Sequence, residues 1–237
     1  RTRKPGHGDS HFYDYVEQAL AHVPKSLQRQ WGHEVYVGMC RRTERDGGKS
    51  AVKAAGWLWA DADAKDFLGG KEEALRRIQA FPLPCTLLTD SGHGYQGLWS
   101  LKTLVSTAQP AEQEACEQYL RRLCQSLGGD PTVCEISRVL RLAGTYNLKD
   151  PDDPVLARLL VAEPERRYSL SDFDAVLPPL GAAHGIGSPN PPGWVADVLQ
   201  QLHTGERGDC HHAFTKLIGK IQSGTLSSDD LMALLQP

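Results

Sequence analysis

The apolar run Gly56-Trp-Leu-Trp-Ala60 leads straight into Asp61-Ala62-Asp63, and no other stretch narrows so far what the chain can fold into. Two tryptophans and a leucine in five residues read as a β-strand bound for a core. Side chains alternate across a strand, so Asp61 and Asp63 leave the same face of the sheet. Two carboxylates side by side repel each other. A hard divalent cation, Mg²⁺ or Mn²⁺, removes that penalty. The competing reading is an exposed strand end with both acids in water, and the apolar residues just before them weigh against it.

Around this strand the elements are mixed. Ser10 can cap a helix carrying Phe12, Val16, Leu20 and Val23, and Glu34 to Cys40 is rich in strand formers. A helix is expected over 71–80, then strands Cys85 to Thr89 and Tyr95 to Leu101 joined through Ser91-Gly-His-Gly94. Pro110 to Leu127 has helical periodicity and stops at Gly128-Gly129. Val155 to Ala162 is a short apolar run, and Ser169 to Val176 a last small helix. Strands and helices do not alternate as in a doubly wound sheet, so the class expected is α+β. Residues 177–193 hold five prolines and four glycines and read as a linker between a domain over 1–176 and a small helical unit over 194–237. In that unit Phe214, Leu217, Ile218 and Ile221 form one stripe, and Ser227 caps a helix with Leu231, Leu234 and Leu235. The start at Arg1 and the stop at Pro237 read as the limits of a cut segment.

Hydrophobic residues at 40%, charged residues at 23% and no apolar run near twenty residues describe a globular protein that does not span a membrane. The six cysteines stand singly, with no Cys-x-x-Cys pair and no signal-peptide pattern, which points to a reducing, cytoplasmic setting and away from a zinc site. A net charge of -3 argues against capture of nucleic acid by the molecule as a whole. It leaves room for a local groove, and basic residues cluster at Arg1 to Lys4, Arg41 to Arg45, Arg121 to Arg122 and Arg138 to Lys149.

Two further motifs carry chemistry. Ser91-Gly-His-Gly-Tyr-Gln96 places two glycines between strands, where backbone amides can approach phosphate oxygens, although a plain hairpin turn would use the same residues. Gly129-Asp130, followed by Arg138-Val-Leu-Arg-Leu-Ala-Gly-Thr-Tyr-Asn-Leu-Lys149, supplies a third acid and a set of phosphate donors.

Taken in order, these motifs resemble the archaeo-eukaryotic primase superfamily: Asp-x-Asp ending a strand, Ser-Gly-x-Gly-Tyr-Gln/His, Gly-Asp, then Arg-x-x-Arg-Leu-x-Gly-Thr-x-Asn-x-Lys. The chain is most similar to the primase-polymerases and RepB-like primases of bacteria, plasmids and phages. The resemblance runs from Val35 to Lys149 and includes Val35 to Arg42, similar to the family's nucleotide-contacting strand and arginine. The tail from Gly205 resembles the family's helical C-terminal domain.

The resemblance implies a catalytic half like an RNA-recognition-motif sheet fused to an N-terminal α/β half. It implies a DNA primase-polymerase that makes primers de novo on single-stranded DNA and extends them with two divalent ions, Mg²⁺ or Mn²⁺. Asp61, Asp63 and Asp130 become the catalytic, metal-binding acids, with Glu135 as fallback if Asp130 only caps a turn. Arg42, Ser91, His93, Gln96, Arg138, Arg141, Asn147 and Lys149 become nucleotide-binding. Template, dNTP or NTP and primer strand are the implied partners, together with a helicase or other replication proteins. Gln96 departs from the pattern, since many members have His there: either the neutral amide suffices for phosphate, or His93 supplies the imidazole. Two other classes stay open, a silent single-strand-binding module and a different Asp-x-Asp metal enzyme.

Overall fold

The computed structural model describes residues 10–13, 18–19, 21–22, 34–43, 45–129 and 133–180. Asp130, the linker from 181 onward and the expected helical unit 194–237 lie outside the described residues, as does most of the expected first helix, within which Gln18, Ala19, Ala21 and His22 are helical.

The aromatic run lies in β3 (Val52–Asp63), which begins four residues earlier than the tryptophans suggest. Those extra residues pair on both sides, with β2 (Cys40–Arg42) and with the far end of β5 (Gly94–Ser106). Apolar composition marks where a strand is buried, and pairing continues past that point. β5 accordingly outruns its apolar part and ends on half-exposed and exposed residues, Leu104 among them.

The expected strand over 34–40 divides at Met39. β1 (Tyr36–Gly38) leaves the sheet and pairs with β6 (Val139–Arg141) as a separate antiparallel ribbon, and β2 stays on β3. The main sheet runs β2-β3-β5-β4-β9, with β4 at Leu87–Asp90 and β9 at Arg158–Ala162. β4 covers β5 only up to Leu98. Beyond it β10 (Arg167–Tyr168) takes the same edge, parallel to Ser100 and Leu101. A further pair, β7 (Tyr146–Asn147) with β8 (Val155–Leu156), sits outside the sheet. Register shifts at Ala55/Trp57 and Leu88/Thr89 curl the sheet. The whole is a mixed α/β fold.

Helix α1 (Gly70–Ala80) and helix α2 (Pro110–Leu127) pack on β3 and β5. Pro110 opens α2 with its φ already helical, Glu112 reaches back to the Gln109 amide at 2.9 Å, and Gly128 closes it at φ 79. A short α3 (Leu170–Asp174) is capped by Ser169. Ile78 from α1, Leu120 and Leu123 from α2, Phe173 from α3 and Leu58 and Trp99 from the sheet are fully buried. Each such side chain contributes roughly 1.5–3 kcal/mol. The Trp99 indole also donates to the Leu83 carbonyl at 2.6 Å, so its polar atom is not stranded. The strand that bears the acids is therefore anchored by its own core residues.

Candidate active site

Asp61 and Asp63 end β3 on the face opposite the buried Ala60 and Ala62. Directly across the pair, Gln96 faces Asp61 and Gly94 faces Asp63. The turn from β4 into β5 is tightly specified. Gly92 has φ +98, and a Cβ on Gly94 would lie 2.3 Å from the Ala62 carbonyl oxygen and 2.7 Å from the Asp63 Cα. The backbone of the hairpin thus demands both glycines. The Ser91 amide and hydroxyl both donate to the Gly94 carbonyl, at 2.9 and 3.0 Å, and Ala64 N–H donates to the His93 carbonyl at 2.9 Å. Lys71 clamps the turn from α1, donating to Asp90 at 2.8 Å and to the Gly92 carbonyl at 3.0 Å.

The β1/β6 ribbon forms the opposite wall of a cleft above the two acids, with Tyr36, Val139 and Arg141 on one ribbon face. Arg138, just before β6, brings Nη2 to 3.7 Å from Asp61 Oδ2. Arg141 is deeply engaged: it donates to Glu34 at 2.6 Å, to the Tyr36 hydroxyl at 3.0 Å and to the Tyr146 carbonyl at 3.0 Å, and it lies over the Tyr36 ring. Asn147 staples the walls together. Its amide donates to the Ser91 carbonyl at 2.7 Å, and its oxygen accepts from Lys149 N–H at 3.0 Å.

Burial and then the neighbouring Asp63 push the Asp61 carboxyl up to about 6, against Arg138 and the Gln96 amide, which pull it down. Asp63 is more open and pairs with Lys65 at 3.2 Å. His93 Nε2, Gln96 Oε1 and Arg138 Nε are buried with no hydrogen-bond partner among the described residues, and all three residues line the cleft. Buried polar atoms without partners are costly, and of the seven such side-chain atoms among the described residues three belong to residues that line the cleft.

The two carboxylates, hard oxygen donors whose mutual repulsion shows in Asp61, fit a divalent Mg²⁺ or Mn²⁺. Among the described residues no group of three or more His, Cys, Asp or Glu is disposed to hold a metal. Glu135 is exposed and not among the residues lining the cleft.

Nine residues singled out from the sequence meet in this cleft: Asp61, Asp63, Ser91, His93, Gln96, Arg138, Arg141, Asn147 and Lys149. Arg42 does not. Its guanidinium donates to the carbonyls of Ser137 at 2.9 Å, Gly47 and Cys40, which ties β2 to the residue before Arg138. Tyr36, Val139 and Glu34 were not singled out. Glu34 meets Arg141 across 107 positions, and no local pattern signals such a contact.

Residues 37–176 match the RepB DNA-primase N-terminal domain. The chain belongs to that family, and with it to the archaeo-eukaryotic primase superfamily. Among solved structures, the AEP domain of the cyanophage S-2L primase-polymerase shares the fold, at 17% identity and a TM-score of 0.50, covering 67% of this chain and 76% of that one. The primase RepB' is 20% identical with a TM-score of 0.46, covering 81% of this chain and 57% of that one. Its catalytic domain in complex with initiator DNA is 17% identical with a TM-score of 0.47, covering 81% and 80%. None of the curated proteins matches the sequence. No helix among the described residues is long and apolar enough to cross a membrane.

Proposed function

We propose that this chain is a DNA primase-polymerase that joins nucleotides on a single-stranded DNA template. The observation that carries the reading is the pair Asp61 and Asp63 on one sheet face, beneath a wall bearing Arg138 and Lys149 and beside the partnerless His93 Nε2. Membership of a primase family supports it.

Asp61 and Asp63 would hold the divalent ions, with Asp130 as third carboxylate. Mg²⁺ or Mn²⁺ so bound supplies Lewis-acid activation of a 3′-hydroxyl and neutralises charge on the phosphoryl group in transfer. The protein's own part is positioning. Arg138 and Lys149 offset the triphosphate charge, and His93 donates a hydrogen bond from Nε2. Ser91 and Asn147 hold the turn that presents His93, and Arg141, neutralised by Glu34, fixes the ribbon. The same reading includes both primer initiation and extension, dNTP or NTP as substrate, a two-half primase architecture and a helical unit over 194–237 that aids initiation.

Incubation with single-stranded template, Mn²⁺ or Mg²⁺ and labelled nucleotides tests it. Template-dependent products that vanish in the Asp61→Ala, Asp63→Ala double variant are expected. Template binding without products would make the chain a silent binding module, and neither binding nor products would leave another Asp-x-Asp chemistry.

A further inference from the structure

Gln96 stands where the sequence suggests a phosphate ligand, yet its surroundings give it a different task. It is 6% exposed and directly opposite Asp61 in the β3/β5 register. Directly opposed residues of an antiparallel pair project from the same face with Cβ atoms about 5 Å apart. The register sets the Gln96 side-chain amide beside the Asp61 carboxylate, whose pKa it lowers. A carboxylate only accepts, so toward Asp61 the amide can offer only its nitrogen. The amide oxygen, Oε1, is buried without a partner among the described residues. Phosphate oxygens are acceptors too and cannot satisfy it. His93 differs: its Nε2 also lacks a partner, it lines the same cleft, and as a neutral or charged imidazole it can donate to phosphate.

We propose that Gln96 is a positioning residue for Asp61, fixing the direction in which that carboxylate meets a divalent cation, while the phosphate contact falls to His93. The inference rests on the reading of Asp61 as a metal-binding acid. Groups that orient a metal ligand typically change affinity or activity 10- to 100-fold when removed. The Gln96 amide supplies that orientation from a neighbouring strand, which the β3/β5 pairing holds in register.

The test is Mn²⁺ binding to the nucleotide-free protein, read from the electron paramagnetic resonance signal of free Mn²⁺, alongside nucleotide KM at saturating Mn²⁺. Gln96→Ala is expected to weaken Mn²⁺ binding about 10-fold or more with nucleotide KM within about twofold of wild type. Gln96→His, which restores a donor, is expected to recover most of the Mn²⁺ affinity. His93→Ala should do the reverse, raising nucleotide KM and sparing Mn²⁺ affinity. Gln96→Met, of similar volume and without a donor, carries the test if the alanine variant does not fold. Unchanged Mn²⁺ affinity in Gln96→Ala or Gln96→Met, or a raised nucleotide KM at saturating Mn²⁺, overturns the proposal, as does a wild type that binds no Mn²⁺. A wild type that binds Mn²⁺ but joins no nucleotides sinks the primase reading instead, and the Mn²⁺ affinities alone then decide the role of Gln96.

Discussion

Replacing Asp61 by Asn should stabilise the metal-free protein while abolishing nucleotide incorporation. Burial and the adjacent Asp63 raise the Asp61 carboxyl from 3.8 to about 6. A difference of about two units corresponds to about 3 kcal/mol that the fold loses when Asp61 is ionised. The direction follows from proton binding. Below pH 4 the carboxyl is protonated in both folded and unfolded chains and costs nothing. Between about 4 and 6 the folded chain holds the proton more tightly, so stability falls as pH rises, and above about 6 the full cost applies. Asparagine cannot ionise and escapes it, and the 3.7 Å ion pair with Arg138 is already counted in the raised carboxyl. A net gain of about 1–3 kcal/mol at pH 8 should raise Tm by about 3–10 °C for a protein of this size. Thermal unfolding in EDTA at pH 4 and pH 8 measures it: the variant should gain at pH 8 and show almost no gain at pH 4. Added Mg²⁺ should then raise the Tm of wild type and leave the variant where it is. An equal difference at both pH values, or a variant less stable at pH 8, would refute the claim that the site holds two opposed carboxylates at a cost to the fold.

Other outcomes follow from the same geometry. Gly94→Ala sets a Cβ against two backbone atoms that cannot turn aside, so denaturant unfolding should show a loss of about 2–4 kcal/mol, and incorporation should fall with the distorted β3/β5 end. For Glu34, burial works to raise the carboxyl, but hydrogen bonds from Tyr36, Arg141 and Leu148 N–H outweigh it and hold it below the usual range. Its stabilising effect is therefore present above the ordinary carboxylate pKa and lost as pH falls through the lowered one, so Glu34→Gln should be less stable than wild type at pH 7 and converge with it in acid, as pH-dependent denaturation would show. Truncation after Gly193 should reduce primer initiation more than extension in a paired assay, and equal loss of both would assign the tail a folding role.

How much of this was legible in the sequence depended on whether a feature is local. Helix α2 was, because Pro110, the Gln109/Glu112 cap and Gly128 all act within a turn of its ends. So was the shared face of Asp61 and Asp63, since alternation along a strand needs no partner. The break at Met39 was not. Glu34 to Cys40 is uniformly strand-like, and the split arises because Arg138, about a hundred positions away, offers its carbonyl to Met39 N–H at 3.1 Å and draws β1 onto β6. The same long-range pairing hid Tyr36 and Val139 from view, and Arg42, on β2, donates to the Ser137 carbonyl instead of lining the cleft.

In the Ser91 to Gln96 motif, residue types alone do not separate residues that build the turn from residues free to meet a ligand. Ser, Gly, His, Gly and Gln look like a row of phosphate contacts, and three of the five have a structural reason to be there. Ser91 closes its own turn on Gly94, Gly92 supplies a left-handed φ, and Gly94 lets β5 approach β3. Gln96 faces a carboxylate that a strand pair sets opposite it. That leaves His93, with one buried nitrogen that has no partner among the described residues, in a turn clamped by Lys71 and Asn147. A candidate of this kind is picked out by the polar atom its neighbours leave unsatisfied, and that is visible only once the neighbours are in place.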